Sequence, residues 1–227
     1  MLKIIIISTI IFSKLFSYND FYEVKQEPTQ IKINPKFIYK KGFKLKLIYK
    51  FKIEGRVVSS KKYNWDSFAE ILTHDIGIVW GKVSKTNIFD QFNWNQKQRF
   101  LIYSIREDKL NKIGGAKYVN SHIANIHLIP KDWSIESKLN QIKPYDIIEI
   151  EGYLTDVYSK RRMILTSISR TDSGPGACEV IYVTNIKFKH KRKDNYFYTK
   201  HKNKIIDTHN MDFKTPGKGT RASDYFR

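Results

Sequence analysis

The chain has 227 residues, of which 41% are hydrophobic and 14% aromatic. That is enough apolar material for one sizeable core, which excludes a wholly disordered chain, a disulfide-stapled miniprotein and a multidomain machine. The formal net charge is +19, an excess that draws nucleic acid or an anionic surface, but it sits in the flanks: residues 24–50 hold eight Lys against one Glu, and residues 187–227 hold twelve Lys and Arg against four Asp.

In chain order, Lys3, the apolar run 4–12 and the small residue Ser17 resemble a secretory leader, so residues 1–17 are read as a signal peptide or short anchor. A nine-residue apolar run is too short to cross a bilayer, which takes roughly 20 residues. Residues 18–42 read as a basic linker and 43–188 as a β-rich globular domain. In 43–53, Phe43, Leu45, Leu47, Tyr49, Phe51 and Ile53 recur at period two, the signature of a half-buried strand, and Gly55 suggests a bend. Residues 66–73 predict a short helix capped by Asp66 or Ser67. Gly77, Trp80 and Gly81 follow, then strands at 99–104 and 119–129.

Pro130 ends the second of these. Asp132 or Ser134 can cap a helix to about Ile142 with Trp133, Ile135, Leu139 and Ile142 on one apolar side. The alternation over 146–156 is the clearest strand signal, and Gly152 within it marks a bulge or a close backbone approach. Strands are also expected at 162–169 and 178–188, joined by a turn at Gly174, Pro175 and Gly176. The fold class is therefore mainly β with minor α: a single small antiparallel barrel or twisted sheet, OB-like, with two short helices. The apolar period fails after Phe188, so 189–227 read as a basic disordered tail.

Two segments carry candidate chemistry, 122–130 and 169–179. On a strand, Asn125 and His127 point the same way and His122 the other. Cys178, the single cysteine, cannot form an internal disulfide. As a thiolate with His127 as base and Asn125 as orienter it would form a nucleophile system; as a small apolar residue opening a strand it would merely pack. The packing role, with Asn125 and His127 bonding loop backbone, is the plainer expectation. A metal held by His122 and His127 with Asp172 or Glu179 requires ligands from opposite strand faces, so neither metal nor cofactor is expected. The turn with Asp172, Gly174 and Gly176 could cradle an anion, although the phosphate-loop pattern is absent. Trp80 reads as a core plug rather than an exposed platform for a sugar or peptide.

The runs DIGIVWGKVS (75–84), HIANIHLIP (122–130), KPYDIIEIEGYLTDV (143–157) and TSISRTDSGPGACEVIYV (166–183) resemble, in that order, a family of bacterial exported proteins with no assigned activity. Val79 directly before Trp80, and Pro144 and Tyr145 before Asp146, depart from its pattern. The resemblance implies an envelope protein and brings no catalytic residues with it.

The leading expectation is thus an exported envelope protein, periplasmic or membrane-associated, acting as a non-catalytic binding or structural module. Its partner would be another envelope protein or an anionic surface, with membrane contact only through an uncleaved N-terminal segment. A Cys/His hydrolase or transferase and a nucleic-acid-binding protein of a transfer system are the alternatives. Against the last, Arg, the bidentate reader of phosphate and guanine, supplies nine basic residues beside 32 Lys.

Overall fold

The structure, a computed structural model, describes residues 22–160, 162–169 and 178–192. Nine strands make up most of it: β1 (Thr29–Lys40), β2 (Phe43–Lys62), β3 (His74–Val79), β4 (Asn93–Lys97), β5 (Phe100–Ser104), β6 (Ile123–Pro130), β7 (Ile147–Tyr158), β8 (Met163–Ile164) and β9 (Glu179–His190). The helices are short: α1 (Thr86–Phe89), α2 (Glu107–Ile113), α3 (Gly115–Asn120) and α4 (Trp133–Leu139), with a 3₁₀ turn at Lys82–Ser84.

The chain is mainly β, and the long strand β2 organises it. The period-two residues Phe43, Leu45, Leu47, Phe51 and Ile53 are buried as their spacing requires. Gly55 does not end the strand. A Cβ there would stand 2.5 Å from Ile78 Cγ1, so a side chain is excluded where β3 begins to pack alongside. The first half of β2 pairs with β1 and β7, the second half with β3. From β3 the pairing continues antiparallel to β6, parallel to β9, antiparallel to β7 and so back to β2. Five strands therefore form a partly closed ring in the order β2-β3-β6-β9-β7, the OB-like order. Phe51, Ile53, Ile126, Leu128 and Ile150 fill it, and α4 contributes Ile135 and Leu139.

Several expectations are corrected. Residues 29–40, read as linker, form the edge strand β1, joined to β2 by the two-residue turn Lys41–Gly42. Both turn residues have positive φ (48° and 79°), the geometry that matches strand twist in a tight hairpin. Pro35 lies at the irregularity between Lys32 and Lys36, where an edge strand can do without its N–H. Residues 66–73 are a chain of turns rather than a helix: Asp66 caps Phe68 N (2.9 Å), while the Leu72 carbonyl is taken by Arg99. The first part of 119–129 belongs to α3, and the strand starts only at Ile123. The strand expected over 162–169 shrinks to β8, because Thr166 and Ser167 side chains bond nearby backbone in place of a ladder. In α4, Asp132 caps Ile135 N (3.0 Å) as expected, but Trp133 is 79% exposed and leaves the apolar side. Among the described residues there are four short α-helices where two were expected.

Candidate active site

Strand register does the first work of assembly. Across the β3–β6 ladder Asp75 faces His127 and Gly77 faces Asn125, so these residues share a sheet face, as the alternation within 122–130 anticipates for Asn125 and His127. The parallel pairing of β6 with β9 begins at Ile126 and Glu179, which sets Cys178, the residue before β9, beside the same face. Asn125 Nδ2 donates to Cys178 Sγ at 3.3 Å. The Cys178 thiol lies close enough to His127 to help raise the imidazole pKa.

Asp75 completes the line. It is fully buried, and its Oδ1 accepts from His127 Nδ1 at 2.8 Å and from Arg99 Nη1 at 2.9 Å. With Nδ1–H donated to the carboxylate, Nε2 is the ring nitrogen left for another partner. Burial by itself would depress the His127 pKa, but the Asp75 carboxylate and the Cys178 thiol outweigh it and lift the value to about 10. His127 is accordingly an imidazolium at neutral pH, adjacent to a sulfur that also receives the Asn125 N–H.

Arg99 arrives from the tip of the β4–β5 hairpin. Gln98 and Arg99 both take positive φ (49° and 65°), a left-handed pair that is unfavourable without glycine and persists only where surrounding contacts enforce it. Those contacts are strong: Arg99 Nε to Asp66 Oδ2 at 2.6 Å, Nη1 to Asp75, and Nη2 to the Leu72 carbonyl at 3.0 Å, with the guanidinium 4.2 Å over the Tyr63 ring. Gly77 makes room for the hairpin, since a Cβ there would stand 2.8 Å from Leu101 Cδ2. Ser59 Oγ donates to Gln96 Oε1 (2.5 Å), Gln96 Nε2 to Asn125 Oδ1 (3.0 Å), and Asn125 Nδ2 also to the Arg99 carbonyl (2.6 Å). Asn125 thus holds loop backbone, as expected of a structural residue, and touches the thiol as well. His127 bonds a carboxylate instead of loop backbone.

Beside His127 lies a cleft of about 160 Å³, walled by Trp65, Phe68 and Leu72 from the β2–β3 connection, Phe100 from the hairpin and Ile164 of β8. Cys178 itself is partly exposed.

The other residues singled out by sequence lie elsewhere. His122 is stacked on Tyr118 (ring centroids 3.9 Å) and pairs with Glu27 at 3.3 Å. Trp80 is 1% exposed and donates its indole N–H to the same Glu27 (2.8 Å), which rules out an exposed platform. Gly81, with φ 58°, lies under the His122 ring, where a Cβ would stand 2.5 Å from His122 Cδ2. His122 and His127 therefore serve separate clusters. Among the described residues, no three His, Cys, Asp or Glu side chains are grouped to hold a metal. Glu179 is buried at the start of β9. Asp172, Gly174 and Gly176 lie outside the described residues, as do the leader-like segment and most of the tail.

Sequence reasoning missed Asp75, Arg99 and Gln96. The usable signal was a carboxylate inside the otherwise apolar run DIGIV, since an unpaired Asp is almost never fully buried. On the far side of the ring, Lys52, Lys187 and Lys189 gather on Glu149 at 3.2, 3.0 and 2.9 Å. Burial would raise the Glu149 pKa, but bonds from these lysines hold it at about 2. Among the described residues no helix is long and apolar enough to cross a membrane. No protein-family model, curated protein or solved structure matches the chain.

Proposed function

We propose that the protein is a cysteine-dependent acyl-transfer enzyme, a hydrolase or transferase, with Cys178 as nucleophile, His127 as acid–base and Asp75 as the positioning carboxylate. The observation that carries this reading is the buried Asp75–His127 bond on the same sheet face to which Asn125 ties Cys178, beside a cleft. The leader-like residues 1–17 support placing this chemistry in the bacterial envelope. The role follows from the residue types: the thiolate, not the thiol, is the nucleophile, and an imidazole oriented by a carboxylate can exchange its proton.

In the first step the Cys178 sulfur attacks the acyl carbon of an ester, thioester or amide. A carbon–sulfur bond forms, the bond to the leaving atom breaks, and the His127 Nε2 proton passes to the departing group. In the second step water, or another acceptor nucleophile, gives a proton back to His127 and displaces the thioester sulfur, which returns as thiolate. Asp75 keeps the imidazole in the tautomer that serves both steps, and Asn125 holds the sulfur.

Intact-mass analysis after exposure to an activated acetyl ester tests the reading. One acetyl group on Cys178 is expected at pH 6, together with iodoacetamide alkylation at least about tenfold faster than for a free thiol. Alkylation at the free-thiol rate with no acyl adduct would return Asn125, His127 and Cys178 to the purely structural role of an envelope module.

A further inference from the structure

We infer that the cleft beside His127 is the subsite for the leaving portion of the substrate, and that it takes an apolar group about the size of one aromatic ring. This deepens the acyl-transfer reading and rests on it. The cleft has His127 in its wall, whereas Cys178 is not among the described residues lining it. The imidazole must hand its proton to the departing atom, so the departing group lies on the imidazole side of the scissile bond and the acyl group on the sulfur side. A cavity that reaches the base, with Cys178 outside its described lining, therefore faces the leaving group.

Size and lining set its chemistry. A cavity of roughly 150 Å³ accommodates benzene, and this cleft measures about 160 Å³, its five apolar wall residues joined by the charged side chains of Asp66, Arg99 and Arg162. Three separate chain segments supply those walls, and fixed polar contacts tie all three together. Arg99 holds Asp66 and the Leu72 carbonyl, while Arg162 Nη1 donates to Ser67 Oγ at 3.1 Å. Trp65, at 64% exposure, and Phe100, at 37%, turn aromatic surface outward. That is where a ring would enter. Each methylene moved from water into such a wall favours binding about fourfold.

The experiment compares two acetyl thioesters whose leaving thiols have similar acidity, S-ethyl thioacetate and S-(2-phenylethyl) thioacetate, at concentrations far below saturation. The readout is the rate of acetyl-Cys178 formation by intact mass. The phenylethyl compound should acylate the wild-type protein about tenfold faster or more, and Ile164→Trp, which fills the cleft, should erase the preference. Equal rates for the two thioesters in the wild-type protein would overturn the subsite and leave the nucleophile standing. Acylation by neither would overturn both, and the wild-type comparison decides the matter even if the variant does not fold.

Discussion

His127 and Arg99 share one oxygen of a buried carboxylate, Asp75 Oδ1, from 2.8 and 2.9 Å. A single acceptor thereby fixes both the tautomer of the imidazole and the position of the hairpin that roofs it. Its other oxygen, Oδ2, is buried without a hydrogen-bond partner, so the carboxylate's polar bonding is concentrated on the side facing these two cations. Asp75→Asn preserves the shape but removes the charge that holds the imidazolium. The expected outcome is a fall of about 10²–10⁴-fold in Cys178 acylation, with alkylation by iodoacetamide at pH 6 dropping toward the free-thiol rate. An unchanged alkylation rate would mean that Asp75 supports only the fold.

The lifted pKa of His127 has a consequence for stability. A group whose folded-state pKa lies above its unfolded value stabilises the fold fully below the unfolded value, and that contribution is lost as pH rises through the folded one. For His127 the window runs from about 6.5 to about 10. Urea midpoints should therefore decline across this range in the wild-type protein, and the decline should be distinctly shallower in His127→Gln. The measurement is the pH dependence of the midpoint for both proteins. Parallel curves would show that the imidazole gains nothing from Asp75 and Cys178.

Arg99 tests how far the roof depends on charge. Its side chain is 7% exposed and pairs with Asp66 and the fully buried Asp75. Arg99→Met keeps the stem but leaves Asp75 without its guanidinium partner, an arrangement that costs about 3–5 kcal/mol when a buried pair loses one member. Denaturant titration should show a loss of that order. A loss below about 1 kcal/mol would place the pair with surface ion pairs, whose contribution is small.

The sequence made the ring legible wherever period two met a buried face, as in β2 and β7, and it made the Asn125–His127 face legible because strand alternation permits no other arrangement. Two kinds of information were out of reach. Register is long-range: that Asp75 stands opposite His127 depends on the β3–β6 pairing, which no local pattern states. Diversion of backbone is also tertiary: residues 66–73 carry good helix spacing, yet the Leu72 carbonyl and the Asp66 carboxylate both bond Arg99 from a hairpin some 30 residues away in sequence. Local propensity loses to such contacts. The turn at Gln98–Arg99 was hidden for a related reason, because neither residue is one that a left-handed hairpin turn prefers.

Gly152 is where a local reading and long-range structure coincide. Its position in the middle of a strong strand pattern suggested a bulge or a close backbone approach, and the β7–β9 register slips between Glu151 and Gly152. A Cβ at Gly152 would overlap the Tyr182 carbonyl oxygen and stand 3.0 Å from Ile181 Cγ2. The oxygen belongs to the backbone of β9, so rotation of a side chain cannot relieve the overlap, and the strand that leads directly from Cys178 has to shift. Gly152→Ala should therefore lower stability by about 3 kcal/mol, at the upper end of what one added methyl causes in a packed interior. It should also slow Cys178 acylation, because the nucleophile directly precedes β9. Gly42→Ala is the control: its φ of 79° is strained for alanine, but nothing lies within 4 Å of the added methyl, so the loss should be confined to backbone strain of about 1 kcal/mol with acylation unaffected. Thermal melts and acylation rates of the two variants check the pair, and equal effects would mean that the bulge tolerates a side chain by moving β9 without disturbing the thiol.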